Sequence, residues 1–304
     1  MAEAFQITGD DAAILRACGL TGLDAVFACE NGRRMDKPGL EPWRQRWKLR
    51  LEAPGEVART VYLKRFDRPP FRRQLERWRR GRLLGSTAAV EWDNARALAM
   101  AGIPAARAVA CGQKMIGPWE VRSCLLLEEV PGESLERWIP AAFAPPAGQA
   151  RRPPARALAD ALARFVAAFH AAGFVHRDLY MCHIFITNPE NLRADPAAAP
   201  SFCLIDLQRV FRPRLRPWRW RIKDLAALDY SAPADRIGRA ERLRFLCRYA
   251  RCMGGRGLAR SLIGPIAART RRLARRRGPV LAGPAQAAAS AGPAVETAAD
   301  GGGA

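Results

Sequence analysis

The sequence predicts an α+β protein of two lobes, in which an antiparallel sheet with one main helix precedes a mostly helical lobe. Residues 47–51 and 60–66 alternate between apolar and polar side chains, which is the period of a half-buried strand. Residues 155–172, rich in Ala and Leu, and the Arg-rich segment 224–277 instead have helical patterns. The turn-forming residues of 128–135 interrupt the pattern, and we expect the connection between the lobes there.

The expected boundaries follow from these changes of pattern. Residues 1–129 are predicted to form the small lobe and residues 130–277 the helical lobe. Residues 278–304 are mainly Ala, Gly and Pro, a composition that cannot bury a core, and we expect them to be disordered.

Within the small lobe, a short helix is predicted over residues 1–20 and the main helix over residues 86–101. Ser86 or Thr87 would cap that helix, and Gly102 would end it. The predicted strands share runs of strand-forming residues bounded by turns, and they are 25–28, 47–51, 60–66, 109–111 and 121–127. The first three are expected to form a meander.

In the helical lobe, an Ala/Pro-rich loop over residues 140–154 precedes the helix of 155–172, which Gly173 closes. A turn-rich insert occupies residues 188–200, and helices are expected from Asp224 onward.

The charge balance limits the kinds of partner. The chain of 304 residues has 50 Lys and Arg against 29 Asp and Glu, a net charge of +21. Such an excess predicts a polyanionic partner, which could be nucleic acid, an anionic membrane or a phosphorylated substrate. The eight Cys are scattered without C-x-x-C pairs, which argues against a disulfide framework or a zinc site and favours a reducing cytoplasm.

Two further observations concern the membrane. The first ten residues are acidic and polar, unlike a signal peptide, and the longest uncharged run is too weakly apolar to span a bilayer. Residues 68–82 carry seven Arg against one Glu, with Phe71, Leu75 and Trp78 at helical spacing. This helix either lies on an anionic surface or packs its three apolar residues on the core.

Four residues have the order and surroundings required for phosphoryl transfer, which depends on positioning and charge compensation. Lys64 lies in a strand pattern and fits the cation that meets nucleotide phosphates. Glu91, on the following helix, fits its ion-pair partner. Asp178 fits the base beside an acceptor hydroxyl, and Asp206, at the end of an apolar strand, fits a metal ligand.

The wording of two motifs carries a resemblance to a known family. His-Arg-Asp-Leu-Tyr-Met-Cys-His, ending at His183, is followed by Ile-Asp-Leu-Gln-Arg, ending at Arg209, and then by Arg-Trp-Arg-Ile-Lys-Asp-Leu-Ala around Asp224. Over about residues 25–250 the chain resembles the lipopolysaccharide core heptose kinases and related Kdo-kinase-like proteins, a branch of the protein-kinase-like fold.

The resemblance implies a two-lobed kinase that uses ATP and Mg²⁺. It makes His176, Arg177 and Asp178 the catalytic motif, and it implies that His183 stands with Asp206 at the metal, where protein kinases have Asn. Lys64 and Glu91 belong to the nucleotide site. Gly32 and Glu128 are also assigned to it, although the glycine-rich loop of protein kinases is absent.

Residues 209–223 hold seven basic residues, no acid and two Trp. Their place after Asp206 favours binding of the acceptor's phosphates and sugar over contact with membrane or nucleic acid. The residues predicted to bind substrate are Arg209, Trp218, Arg219, Trp220, Arg221 and Lys223.

The leading hypothesis is therefore an ATP-dependent kinase for a sugar hydroxyl of lipopolysaccharide core, heptose or Kdo, or a similar lipid-linked glycan. It would act in the cytoplasm, peripheral to the inner face of the membrane, through contact with anionic lipid, and nucleic acid is a less favoured partner. Two alternatives remain: a protein or small-molecule phosphotransferase of the same fold, and an inactive kinase-like scaffold that docks on membrane or nucleic acid. The sequence does not indicate an oligomeric state.

Overall fold

The computed structural model describes residues 2–35, 41–79, 83–143, 152–194, 198–255 and 257–278. It confirms the α+β class, because an antiparallel sheet forms the first part of the chain and helices form most of the remainder. The bounds of the strands are β1 Ala2–Ile7, β2 Arg33–Arg34, β3 Arg44–Leu51, β4 Arg59–Asp67, β5 Ala108–Ile116, β6 Trp119–Glu128, β7 Glu133–Ser134, β8 Ile184–Ile186 and β9 Phe202–Leu204. The bounds of the helices are α1 Ala12–Ala17, α2 Leu23–Ala28, α3 Phe71–Arg79, α4 Thr87–Met100, α5 Leu135–Ala142, α6 Arg152–Ala171, α7 Pro189–Ala194, α8 Pro217–Ser231, α9 Arg239–Met253 and α10 Gly257–Arg277.

The first six strands form one antiparallel sheet in the order β1-β5-β6-β4-β3-β2. One face is covered by α1 and α2, which bury Leu15, Leu23 and Val26 against Leu49 and Leu63. The register of β4 places Lys64 opposite Arg46 on β3 and opposite Leu125 on β6. Lys64 therefore lies on a central strand of the sheet, next to another cation.

Two predictions for the N-terminal segment are wrong. Residues 2–7 form the edge strand β1, which pairs with β5, and the helix begins only at Ala12. Residues 25–28 lie in the helix α2, because Leu23 and Val26 are three positions apart and both buried, a helical spacing. The predicted three-strand meander is consequently wrong as well, and β3 and β4 are its only two members that pair directly.

The main helix of the small lobe, α4, agrees closely with the prediction. Ser86 is its N-cap, and its hydroxyl oxygen accepts the backbone N–H of Ala89 at 3.1 Å. The helix packs between the sheet and the helical lobe, and its buried residues Trp92 and Leu98 belong to a core that extends into that lobe. α4 therefore contacts both parts of the fold.

The helix α3 lies at the surface and buries polar side chains, not its apolar ones, against the rest of the protein. Gln74 and Arg77 are buried, whereas Phe71 is 60% exposed and meets Trp78 and Trp119 in ring contacts. The alternative in which all three apolar residues pack on the core is therefore wrong. Residues 80–82 of the predicted basic helix lie outside the described residues.

The helical lobe is built on α6, whose buried face includes Leu162 and Val166, together with the short sheet β7-β8-β9. α6 extends over part of the predicted 140–154 loop, of which residues 144–151 lie outside the described part of the chain. α8 begins at Pro217, not at Asp224, because Pro suits the first turn of a helix.

Residues 279–304 of the predicted tail are also outside the described residues. Over the described part of the chain, the helices are too short or too polar to cross a bilayer.

Candidate active site

Lys64 and Glu91 form an ion pair where the sheet meets α4. The Lys64 ammonium donates to both carboxylate oxygens of Glu91, at 2.7 and 2.8 Å. Glu91 is fully buried and the Lys64 side chain is 12% exposed. Because a buried carboxylate is costly unless paired, Glu91 fixes the position of the ammonium.

Glu91 also joins α4 to the turn after Asp206. Its carboxylate accepts the backbone N–H of Leu207 at 3.2 Å. One turn later on α4, the side-chain amide of Asn94 donates to the carbonyls of Leu207 and Val210, at 2.8 and 2.9 Å. The two side chains therefore hold the segment after Asp206 against α4 and beside Lys64.

Asp206 lies directly beyond β9 with φ of 57°, in the left-handed region that non-glycine residues rarely adopt. Burial alone would raise the pKa of its carboxyl, but the positive charges of Lys64 and Arg46, together with His183 when that ring is protonated, outweigh burial and lower it to about 2. The carboxylate is therefore ionised at neutral pH, in a strained turn surrounded by cations.

The catalytic-type loop brings Asp178 and Arg209 together. Nη1 of Arg209 donates to the two carboxylate oxygens of Asp178, at 2.7 and 3.0 Å. Arg209 ends the 3₁₀ turn that begins just after Asp206. The loop that carries Asp178 and the loop that carries Asp206 are therefore linked by a side-chain contact.

The ring of His183 contacts both Asp-bearing loops. Its Nδ1 is 2.7 Å from the backbone carbonyl of Asp178, and because a carbonyl only accepts, Nδ1 carries the proton. When the ring is neutral, Nε2 is therefore the nitrogen with the free electron pair, and it lies 3.7 Å from Oδ2 of Asp206. Both atoms are electron-pair donors that face one another.

His176 is fully buried, so its ring is inside the protein. Its Nε2 donates to the carbonyl of Ile205 at 3.0 Å, one residue before Asp206. Burial lowers its pKa, which keeps the ring neutral. This contact makes His176 a link between the two loops.

Asp224 anchors the same loop from α8. Its carboxylate is fully buried and accepts the backbone N–H of His176 at 2.6 Å and that of Arg177 at 2.7 Å. His170 on α6 lies 3.3 Å from the same carboxylate. Arg177 has φ of 71°, so the Asp224 contacts hold a left-handed backbone conformation immediately before Asp178.

The basic segment predicted to bind substrate divides into two groups. Trp220 and Lys223 lie beside the catalytic loop, with Lys223 Nζ 3.7 Å and the Arg177 guanidinium 5.5 Å from the ring centre of Trp220. Trp218 instead packs on the core, and Arg221 lies over its ring and donates to the carbonyl of His170 at 3.0 Å. The helical turn of α8 separates the two groups.

The contacts of Gly32 and Glu128 are with residues other than Asp178 and Asp206. A Cβ on Gly32 would come within 2.3 Å of Cδ2 of Leu49, so this glycine is required by close packing on β3. Glu128, at the end of β6, accepts from Nε of Arg107 at 2.6 Å. Arg107 also binds Asp11, so these contacts form a network at the sheet edge.

Sequence reasoning missed three residues of the site: Arg46, Asn94 and the anchoring function of Asp224. Arg46 could have been found from the alternation of cations along β3, with Arg44, Arg46 and Lys48 on one face. Asn94 lies one helical turn after Glu91, a spacing that places both on one side of α4.

These observations define the class of protein: a two-lobed fold of the protein-kinase-like kind, with a Lys–Glu pair in the small lobe and two Asp-bearing loops in the helical lobe. The chain belongs to the lipopolysaccharide kinase (Kdo/WaaP) family, whose family model matches residues 45–249. This confirms the resemblance on which the sequence analysis depended.

Individual relatives agree with that assignment. The chain is 37% identical over 164 residues to the lipopolysaccharide core heptose(I) kinase WaaP of Pseudomonas aeruginosa, covering 53% of this chain and 58% of the relative. It is 30% identical over 164 residues to the WaaP of Escherichia coli, covering 52% and 58%. The chain thus spans less than two thirds of the length of these curated relatives.

A solved structure described as WaaP in complex with acyl carrier protein has the same fold. It superposes with a TM-score of 0.58 at 29% identity, over 83% of this chain and 91% of the solved one.

Proposed function

We propose that this protein is an ATP-dependent kinase that phosphorylates a sugar hydroxyl of lipopolysaccharide core. The observation that carries the proposal is the joining of Lys64–Glu91, Asp206 and Asp178 through short contacts in one site. Phosphoryl transfer needs these parts: a cation on the phosphates, a carboxylate for metal and a carboxylate beside the attacking hydroxyl. The named relatives, which are core heptose(I) kinases, supply the acceptor class.

The nucleotide phosphates would bind between Arg46 and Lys64. These two cations are directly opposed on neighbouring strands, an arrangement that destabilises a sheet unless a negative group lies between them. Lys64 is already held by Glu91, so it is pre-positioned to contact a phosphate. This proposal does not involve Gly32 or Glu128, whose contacts are accounted for by packing and by Arg107.

Mg²⁺ would be held by Asp206, with His183 as the second protein donor. Over the described residues, no three His, Cys, Asp or Glu side chains converge to hold a metal. An ionised Asp206 facing one imidazole nitrogen fits a cation that takes its other ligands from nucleotide phosphates and water, as Mg²⁺ commonly does. When bound, the ion would neutralise negative charge that develops on the transferring phosphoryl group.

Asp178 would orient the acceptor hydroxyl and accept its proton. Arg209 holds the carboxylate in place and, with its remaining donors, would contact the acceptor or the transferred phosphoryl group. His176 and Asp224 would act as positioning residues, because both are fully buried and their hydrogen bonds to the two loops go to backbone groups.

Peripheral contact with the membrane would use an aromatic patch, defined as Phe71, Trp78 and Trp119. The three rings lie 5.0–6.2 Å apart between centres. Leu83, Leu84 and Ile116 are also exposed, and Ile116 is the strand partner of Trp119. Aromatic rings beside Arg side chains such as Arg79 suit the interface of an anionic bilayer, so the protein would act at the inner face of the cytoplasmic membrane.

Acyl carrier protein is a second proposed partner, because the solved WaaP structure contains it. An apolar cavity of about 480 Å³ lies among α6, α8, α9 and α10, lined by residues such as Leu162, Leu225 and Leu246. Arg239 and Arg242 also line it. Co-elution of acyl carrier protein with the wild type, and its loss on replacing Leu246 by Trp, would support this partner; no co-elution would remove it.

The proposed reaction is tested by incubating the wild-type protein with ATP, Mg²⁺ and a deacylated core oligosaccharide that lacks heptose phosphate. We expect a phosphate monoester on a sugar, seen by ³¹P NMR and placed by mass spectrometry. Transfer to protein alone would favour the phosphotransferase alternative. No ATP binding by calorimetry, together with salt-sensitive binding to anionic vesicles or DNA, would select the inactive scaffold.

A further inference from the structure

Three cations surround the ring of Trp220 beside the catalytic loop. Lys223 Nζ lies 3.7 Å, the Arg177 guanidinium 5.5 Å and the Arg219 guanidinium 5.8 Å from the ring centre. A ring face attracts a cation, but three cations around one ring also repel one another. The arrangement therefore favours an anion that would lie among them.

The last helix brings further cations to this place. Thr270 on α10 donates to Oδ2 of Asp229 on α8 at 2.7 Å, which fixes the two helices together. At the end of α10, the Arg277 guanidinium lies 5.0 Å from the ring centre of Tyr180, and the Tyr230 hydroxyl donates to the Gly278 carbonyl at 2.9 Å. α10 therefore runs along α8 to the loop that carries Asp178.

Arg269 is the α10 residue that we place beside the cations around Trp220, because it adjoins Thr270, whose hydroxyl meets α8. It precedes Thr270 and is half-buried, whereas the neighbouring Arg271 is exposed. Burial, and then the positive charges of Arg272, Arg219 and Arg276, lower the pKa of Arg269. Burial and then the charge of Arg269 likewise lower the pKa of Lys223. The two sets of cations therefore repel one another across the contact of α8 with α10.

The nearby carboxylates are already engaged. Asp178 is held by Arg209, and Asp229 by Arg242 at 2.6 Å. Within the part of the chain that the structure describes, the ion pairs of 4 Å or less do not include Arg219, Lys223 or Arg269. Lys223 and Arg269 are half-buried and Arg219 is exposed, so their clustered positive charge is unfavourable in the free protein, and a bound anion would relieve it.

We propose that Arg219, Lys223 and Arg269 form an anion site that holds a phosphate or carboxylate group of the acceptor while its hydroxyl lies at Asp178. The inference rests on the proposed kinase function and adds a substrate requirement, an acceptor that carries a second anionic group. α10 lies beyond residues 45–249, the part that the family model matches, so Arg269 adds to the site from outside that region.

The test compares Arg269→Glu with Arg271→Glu. Both reverse one charge on α10, but residue 271 lies on the opposite, exposed side of the helix. We expect Arg269→Glu to raise the KM for the deacylated core oligosaccharide at least about tenfold and to leave the KM for ATP unchanged, since the substitution removes a charge-assisted contact with the acceptor and none with the nucleotide. Arg269→Lys should restore most of the affinity. Equal effects of the two reversals would overturn the proposal.

Chemically modified acceptors distinguish a phosphate from a carboxylate as the bound anion. If a phosphate binds, prior dephosphorylation of the acceptor should remove the difference between wild type and Arg269→Glu; if a carboxylate binds, reduction of the acidic sugars' carboxyl groups should do so. A difference that appears only with acceptor in anionic vesicles, and not with the deacylated oligosaccharide, would assign Arg269 to the lipid surface and overturn the proposal.

Direct binding separates this inference from the proposed reaction. The affinity of wild type and Arg269→Glu for the same oligosaccharide is measured by calorimetry without ATP. Weaker binding by Arg269→Glu supports the anion site even if the wild type transfers no phosphate. If the wild type transfers phosphate but wild type and Arg269→Glu bind the oligosaccharide with equal affinity, the kinase proposal stands and the anion site is rejected.

Discussion

Arg209 holds the carboxylate of Asp178 through a single nitrogen, at 2.7 and 3.0 Å from its two oxygens. The pair links the loop of the proposed base with the turn that follows Asp206, and it is partly open to solvent, with Asp178 20% and Arg209 44% exposed. A partly exposed pair contributes little to stability, so its value lies in orienting Asp178.

Replacing Arg209 by Ala should therefore reduce activity and barely affect stability. We expect kcat to fall about tenfold or more, as a misplaced reacting group costs up to about a hundredfold, and the free energy of unfolding to change by less than about 1 kcal/mol. Steady-state kinetics and urea unfolding measure the two effects. Arg244→Ala, which removes the exposed pair with Asp160, is the matched control and should change neither. Loss of stability without loss of kcat would contradict this role for Arg209.

Lys64→Met should weaken ATP use. The substitution removes the proposed phosphate contact and leaves Glu91 buried without its cation, so the KM for ATP should rise and kcat should fall. Glu91→Gln should show the same direction with a smaller effect, because Lys64 remains. Lys114→Met, which removes the strand cation that pairs with Glu3, is the control for loss of a charge in the sheet. Unchanged ATP kinetics in Lys64→Met would exclude Lys64 from the nucleotide site.

Asp224→Ala should destabilise the protein by about 2–6 kcal/mol, since one buried and one partly buried N–H group lose their acceptor at about 1–3 kcal/mol each. Asp224→Asn should be milder, because the amide oxygen can still accept one of the two. Chemical unfolding measures the change, and Asp160→Ala on α6 serves as the exposed control. If Asp224→Asn is as stable as wild type, a fall in kcat with unchanged KM for ATP would show that Asp224 positions the loop that carries Asp178.

Phe71→Ser and Trp119→Ser should each weaken binding to anionic vesicles. Withdrawing one aromatic ring from the interface costs about 1.4 kcal/mol or more, which is roughly tenfold in affinity. Vesicle co-sedimentation at several salt concentrations measures this effect. Met100→Ser changes a residue that is 88% exposed at the end of α4, and it should bind like wild type. Equal binding by all three variants would remove the aromatic patch as a membrane contact.

The sequence predicted the parts of the fold that local patterns encode. The capped helix α4 and the strand of Lys64 carry strong periodicity, and the motifs around Asp178 and Asp206 stand directly beside apolar strands. It failed at residues 25–28, where a short apolar run fits a helix as well as a strand and the burial of Leu23 and Val26 decides. It also failed for β1, because pairing with the edge of β5 is a long-range contact.

The candidate site was predictable where the order of strands, helices and motifs along the chain indicates which residues meet. The Lys64–Glu91 pair follows from strand and helix order, and the structure brings the two together. Asn94 was not recognised, and Asp224 was recognised only as part of a motif and not as an anchor, because their partners are backbone groups of distant loops. The proposed place of Arg269 beside Lys223 likewise depends on how α10 packs on α8.

The central claim is that Asp178 acts as the base in transfer of phosphate from ATP to a sugar hydroxyl. The most direct measurement is single-turnover transfer to the deacylated core oligosaccharide by wild type and Asp178→Asn, with nucleotide affinity measured in parallel. We predict that Asp178→Asn binds ATP with Mg²⁺ like wild type and transfers phosphate about 10²–10⁴-fold more slowly, the range that general base catalysis supplies. Transfer at the wild-type rate by Asp178→Asn would contradict the account.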